Sequence, residues 1–182
     1  MPTVPGPEEL EEESTVALRF LTDPKYNLSE ATKIFIEFAD RKIDSFTDKR
    51  PVDPELYLTI KKQTKPNKLF CWIRPKHTIP NTSVNAKAFL SYVSDYGTVE
   101  SALKPHTSKN GYIASFTTSL NHVIYFHHSD FDVNDWLLYE TDTPNAFAGR
   151  AIIFCRFWTR DGRLVATVIQ ECLIRAKTIS KI

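Results

Sequence analysis

Apolar residues are sparse and irregular over the first 66 positions of the chain and dense and periodic after them. Leu69 to Ile73 is an aromatic and β-branched run closed by Pro75, which predicts a short strand. Phe89, Tyr92, Val93, Tyr96, Val99 and Leu103 then recur at three- and four-residue steps. That stripe predicts one amphipathic helix opening at Thr82 or Ser83 and closing before Pro105. Strand-length segments follow without another helix: Thr117 to His127, Trp136 to Thr143 and Ala151 to Thr159. Arg160-Asp161-Gly162-Arg163 contains Asp-Gly, a strong hairpin signal, and leads into Leu164 to Arg175.

One long helix followed by antiparallel strands predicts an α+β domain, a sheet wrapped over a single helix; a hotdog fold meets that description, while periodicity alone fixes only the class and leaves several topologies open. The N-terminal part reads differently. Pro2, Pro5 and Pro7 precede Glu8-Glu9-Leu10-Glu11-Glu12-Glu13, whose like charges favour an extended, solvated chain. Ser29 to Ala39 fits a short helix with Ser29 as N-cap, before a polar stretch containing Pro51, Pro54 and Pro66. The expected organisation is therefore an acidic, Pro-rich connector over 1–66, the hotdog over 67–177 and a short tail over 178–182.

Composition narrows the function classes. The chain has 182 residues, 42% hydrophobic and 25% charged, ordinary values for a globular domain with its own core. Lys and Arg number 23 against 22 Asp and Glu, so no net field draws it to nucleic acid or an anionic membrane. No apolar run approaches the roughly 18 residues of a membrane span. Cys71, Cys155 and Cys172 are odd in number and contain no C-x-x-C, which argues against a disulfide framework or structural zinc. The N-terminus lacks the pattern of a secretory signal, so a soluble intracellular protein is expected. The chain stops at Ser180-Lys181-Ile182, a variant of the Ser-Lys-Leu peroxisomal address.

Three polar residues stand out by position. On a helical wheel Asp95 falls between Ala88, Tyr92, Val99 and Ala102, within the arc expected to be buried. If buried there, the carboxylate becomes a stronger proton acceptor; the plainer reading is a side chain at the stripe's edge reaching solvent. Gln170 shares a strand face with Leu164, Ala166, Val168, Cys172 and Ile174, either as a core amide satisfying backbone or as a holder of water or a carbonyl. Ser119 opens the strand after the helix, where serines are commonly turn or edge residues. His127-His128 with Asp130 and Asp132 lacks further ligands at metal-binding spacing, so no metal and no cofactor are expected. Neither a G-x-S-x-G elbow nor a P-loop nor a G-x-G-x-x-G occurs.

Several strings, in matching order and spacing, resemble the C-terminal half of the acyl-CoA thioesterase II family, whose eukaryotic members include the peroxisomal acyl-CoA thioesterases. They are Leu90-Ser91-Tyr92-Val93-Ser94-Asp95, Ser119-Leu120-Asn121-His122 running to Phe126-His127, Trp136-Leu137-Leu138-Tyr139, and Thr159 through Ala166 running to Gln170-Glu171. The resemblance covers Leu69 to Lys177 and the connector before it. It implies a hotdog that hydrolyses acyl-CoA to a fatty acid and coenzyme A, with an Asp, a Ser or Thr, and a Gln orienting one water. The matching positions are Asp95, Ser119 and Gln170.

This sequence departs from the family pattern at Asn121, where members usually carry Asp, and at Cys172, where they usually carry Gly. The family is a tandem of two hotdogs, and only the second is matched. A homodimer, or pairing with another hotdog domain, is the expected replacement for the first. The competing reading is a catalytically weak or inactive hotdog that binds acyl-CoA or a partner subunit. A hotdog hydratase is disfavoured, because Glu100 stands where that class carries His five residues after the Asp.

Overall fold

The computed structural model describes residues 1–41, 46–61, 68–110 and 114–176. Its helices are α1 (Glu13–Thr22), α2 (Glu30–Arg41), α3 (Pro54–Tyr57), α4 (Ser83–Val93) and α5 (Thr98–Asn110). The strands are β1 (Thr47–Pro51), β2 (Leu69–Pro75), β3 (Ala114–Phe126), β4 (Leu137–Phe147), β5 (Arg150–Thr159) and β6 (Leu164–Ala176). They form one antiparallel sheet in the order β1-β2-β4-β5-β6-β3, with α4 and α5 against one face: the α+β hotdog arrangement.

Strict alternation drives the sheet. In β5, Ala151, Ile153, Cys155, Phe157 and Thr159 point inward; in β6, Ala166, Val168, Gln170, Cys172 and Ile174 do. The core forms where these side chains meet Ala86, Phe89, Leu90 and Val93 of α4 and Ala102 of α5. Gly162, at φ +90°, makes the β5–β6 turn that Asp-Gly predicts. On the opposite sheet face Trp72, Trp136 and Leu138 are covered by Val4 and Leu10.

The long helix is divided. α4 ends at Val93 with Ser94 as its C-cap, and α5 restarts at Thr98 after Gly97, which sits at φ +63°. Apolar periodicity runs through the break because the helices pack on the same core, so a wheel drawn across it misplaces side chains. Tyr92 faces outward, its ring 5.5 Å from that of Phe46, while Ala86, Phe89, Leu90 and Val93 face the sheet. Pro105 also lies inside α5 instead of beyond a helix end, at the cost of one backbone hydrogen bond.

The N-terminal stretch is more built than an extended connector. Ser29 caps α2 as expected, accepting the Thr32 N–H at 3.2 Å. α1, which the acidic composition hid, joins Val16, Ala17 and Phe20 to Ile36 and Leu58 in a separate apolar cluster. β1 pairs with β2, so the sheet extends across position 66. The acidic segment before α1 lies along the sheet, not free in solvent. Trp72 Nε1 donates to the Pro5 carbonyl at 2.9 Å, and Arg160 pairs with Glu8 at 2.8 Å. The tail over 178–182 lies outside the described residues. Among the described residues no helix is long and apolar enough to cross a membrane.

Lys104 of α5 is buried with its ammonium 4.0 Å from the Tyr57 ring centroid. Burial pushes its pKa from the ordinary 10.5 down to about 8. Below pH 8 folded and unfolded chains both carry the proton and the burial cost is full. Between pH 8 and 10.5 the unfolded chain binds more protons, so this residue's contribution to stability improves as pH rises. Relative to Lys104→Met, which does not titrate at that position, the parent is therefore expected to gain up to about 3 kcal/mol of stability as pH rises from 7 through 10.5, at 1.36 kcal/mol per pKa unit. Urea unfolding of both proteins at pH 7 and pH 10 reads that gain.

Candidate active site

Strand β3 runs along β6 with a slip in register. Ser119 stands opposite Cys172, Asn121 opposite Glu171 and His122 opposite Gln170, leaving Leu120 as the extra residue of a β-bulge. In a regular strand residues three apart face opposite sides. The bulge cancels that rule, and both Ser119 and His122 turn to the face of Gln170.

Gln170 is the centre of the constellation. It is 0% exposed, and its amide nitrogen donates to Asp95 Oδ1 at 2.9 Å and to Ser119 Oγ. Both amide hydrogens are thereby committed. Its carbonyl oxygen is enclosed and has no hydrogen-bond partner among the described residues. Ser119 accepts from Gln170, so its own hydroxyl proton remains to be donated. The structure thus brings Asp95, Ser119 and Gln170 together from three separate elements.

Asp95 differs from the wheel-based expectation. It sits in the turn between α4 and α5 with its side chain 66% exposed, not in the buried arc of the stripe. The turn is nevertheless well held. Thr98 Oγ1 donates to the Asp95 carbonyl at 3.3 Å and the Tyr139 hydroxyl to the Tyr96 carbonyl at 2.8 Å. The Tyr96 ring lies 4.0 Å from the Lys49 ammonium, which pairs with Glu13 at 2.8 Å. Burial alone would lower the Lys49 pKa, but the Glu13 carboxylate more than offsets it and holds the ammonium above its ordinary range.

Two further side chains enter the site that sequence pattern did not single out. His122 Nε2 is 2.9 Å from Ser94 Oγ, and its Nδ1 is 3.7 Å from Asp95 Oδ1. Strand alternation hid His122, because nothing in the composition of β3 announces the bulge. The available sign was that both lie in the strings that carry the family resemblance, Ser94 next to Asp95 and His122 three residues after Ser119.

The two departures from the family pattern separate spatially. Asn121 turns to the face opposite Gln170, where it accepts the Glu171 N–H at 3.0 Å and donates to the Glu171 carboxylate at 3.3 Å. Arg150 closes that cluster at 2.8 Å from Glu171. Cys172 is buried beside Gln170 on the inner face, and burial raises its thiol pKa. Among the described residues no group of His, Cys, Asp and Glu has metal-binding geometry. His127 instead contacts Thr167 at 2.9 Å, and Asp130 pairs with Arg163 at 3.0 Å.

A carboxylate open on one side and a hydroxyl with a free proton, both held by one buried amide, form a site that can hold and deprotonate a water. Comparison with known proteins gives that geometry a context. Residues 43–173 match the family model described as acyl-CoA thioesterase. The chain is 35% identical over 179 residues to acyl-coenzyme A thioesterase 8 of Rattus norvegicus, covering 97% of this chain and 53% of that protein. It is 32% identical over 112 residues to acyl-CoA thioesterase 2 of Haemophilus influenzae, covering 60% of this chain and 38% of that protein. The crystal structure of an acyl-CoA thioesterase II from Mycobacterium marinum superposes with a TM-score of 0.68 at 26% identity, covering 98% of this chain and 56% of that one. The chain spans about half the length of the mammalian relatives it matches.

The unpartnered oxygen of Gln170 has an energetic consequence. A buried polar atom without a partner costs roughly 1–3 kcal/mol. Gln170→Leu, close in volume, removes that atom along with the two donated hydrogen bonds. It is expected to unfold in urea with a stability equal to the parent or up to about 1 kcal/mol above it.

Proposed function

The chain belongs to the acyl-CoA thioesterase family, and from that premise we propose that it hydrolyses fatty acyl-CoA through Asp95, Ser119 and Gln170. The observation that carries the reading is the fully buried Gln170 amide, committed to both partners while its carbonyl oxygen stays unpaired. A water donating a hydrogen to the open Asp95 carboxylate, which the Gln170 amide holds in place, is set for attack. Asp95 takes its proton as general base, and the water oxygen bonds to the thioester carbonyl carbon. The free hydroxyl proton of Ser119 is available to the developing oxyanion. Collapse breaks the C–S bond, and the thiolate leaves with the proton that Asp95 collected. The balance is acyl-CoA plus water giving a fatty acid and coenzyme A.

Pairing with a second hotdog, either another copy or a separate chain, belongs to the same reading. Edge strand β3 exposes Phe116, Leu120, Val123, Tyr125 and Phe126, an apolar edge that invites another strand. Asp95 lies open beside it, so a paired domain would shield the reacting water. The alternative, a hotdog that binds acyl-CoA without turnover, is favoured only by this openness of Asp95 in the single chain. Ser180-Lys181-Ile182 is proposed as a peroxisomal address; deleting it should leave a fluorescently tagged chain outside peroxisomes.

Two measurements test the reading. The purified chain should release free thiol from medium- and long-chain acyl-CoA, and Asp95→Asn should lower kcat/KM by roughly 10²- to 10⁴-fold while folded. Wild-type rates in folded Asp95→Asn would refute the assignment, and acyl-CoA binding without thiol release would establish the non-catalytic reading. Sedimentation at micromolar concentration should give a dimer; a monodisperse monomer that retains full activity would remove the pairing proposal.

A further inference from the structure

The proton count at Ser94 determines how His122 is set. Ser94 is fully buried and has one hydroxyl proton, which it donates to the Ser91 carbonyl at 2.8 Å. Toward His122 Nε2, 2.9 Å away, the same oxygen then accepts. With the proton so placed, the ring carries its hydrogen on Nε2, which leaves the Nδ1 edge turned to Asp95 Oδ1 at 3.7 Å. Asp95, mostly exposed in its turn, has a side-chain hydrogen bond from Gln170 on one flank. The His122 ring occupies another flank and is itself clamped at its far end.

We propose that His122, fixed in orientation by Ser94, is a positioning residue for Asp95. The inference rests on the reading of Asp95 as general base. In the resting site the clamped ring fills space into which the carboxylate would otherwise swing. Once Asp95 has taken the proton from water, the carboxyl group is a donor, and Nδ1 is an acceptor facing it. The proton comes from water, stays on Asp95 as a shared hydrogen bond to Nδ1, and leaves with the thiolate, so no other reactant is needed. Because this contact forms as the proton moves onto Asp95 and is absent in the ground state, it lowers the barrier without tightening substrate binding.

The β3 bulge then has a clear purpose. A single extra residue, Leu120, sets Ser119 and His122 on one face with Gln170, so that Asp95 is approached by an amide from β6 and an imidazole from β3. Without the slip one of the two β3 side chains would point away.

Kinetics and histidine NMR on the full chain test the proposal. His122→Ala is expected to lower kcat about 10- to 100-fold with KM within about twofold, the scale of a misplaced catalytic group. Ser94→Ala should move kcat in the same direction by less. If His122→Ala does not fold, His122→Asn, smaller but polar, is expected to show the same split. In ¹⁵N-histidine spectra of the unmodified protein the His122 ring should carry hydrogen on Nε2. That preference should be lost in Ser94→Ala, and the ring signals should move in Asp95→Asn. Parent kcat in a folded His122 variant, a loss confined to KM, or a ring protonated on Nδ1 alone would overturn the proposal. If the parent chain hydrolyses nothing, the reading of Asp95 fails by itself; His122 signals unchanged in Asp95→Asn would then reject the His122–Asp95 link separately.

Discussion

The arrangement depends on one amide. Gln170 stands on the inner face of β6, a position that alternation otherwise gives to Ala166, Val168, Cys172 and Ile174. A polar group there needs partners, and it finds them in a serine from the neighbouring strand and a carboxylate from the turn between two helices. These contacts join the edge of the sheet to the helical layer at the point where the proposed chemistry takes place. The same amide keeps one enclosed oxygen unsatisfied. A core optimised for stability alone would hold leucine at that position, so the cost is informative about what the position is for.

Around this contact the fold supplies rigidity from some distance. The turn carrying Asp95 is tied to β4 through Tyr139 and to β1 through the ring of Tyr96 over Lys49. Lys49 is in turn paired with Glu13 at the start of α1. A chain of contacts therefore runs from the start of α1 to the turn that carries Asp95. Buried pairs of this kind rarely add net stability over apolar substitutes, but removing one partner is expensive, so they fix geometry.

The departures at Asn121 and Cys172 also take on different meanings in three dimensions. In the sequence both lie within two residues of a proposed site residue and weigh equally. In the fold Asn121 belongs to an outward cluster with Glu171 and Arg150, where a second carboxylate would crowd the first. Cys172 alone shares the inner face with Gln170.

Periodicity in the chain determined the strands β5 and β6, the hairpin through Asp161-Gly162 and the inward face of Gln170, because alternation and turn chemistry are local and the sheet follows them. Position also singled out Asp95 and Ser119, and the family strings fell on the same residues. Tertiary structure alone decided three other matters. The helix breaks at Gly97 although its apolar stripe continues, since two helices on one core share a periodicity, and Asp95 consequently lies in an open turn. The acidic N-terminal segment packs on the sheet because Trp72 and Arg160 supply donors for it, groups distant in sequence. The bulge at Leu120 brings His122 beside Ser94 and Asp95, since register is a property of two strands together and no single strand's residues encode it.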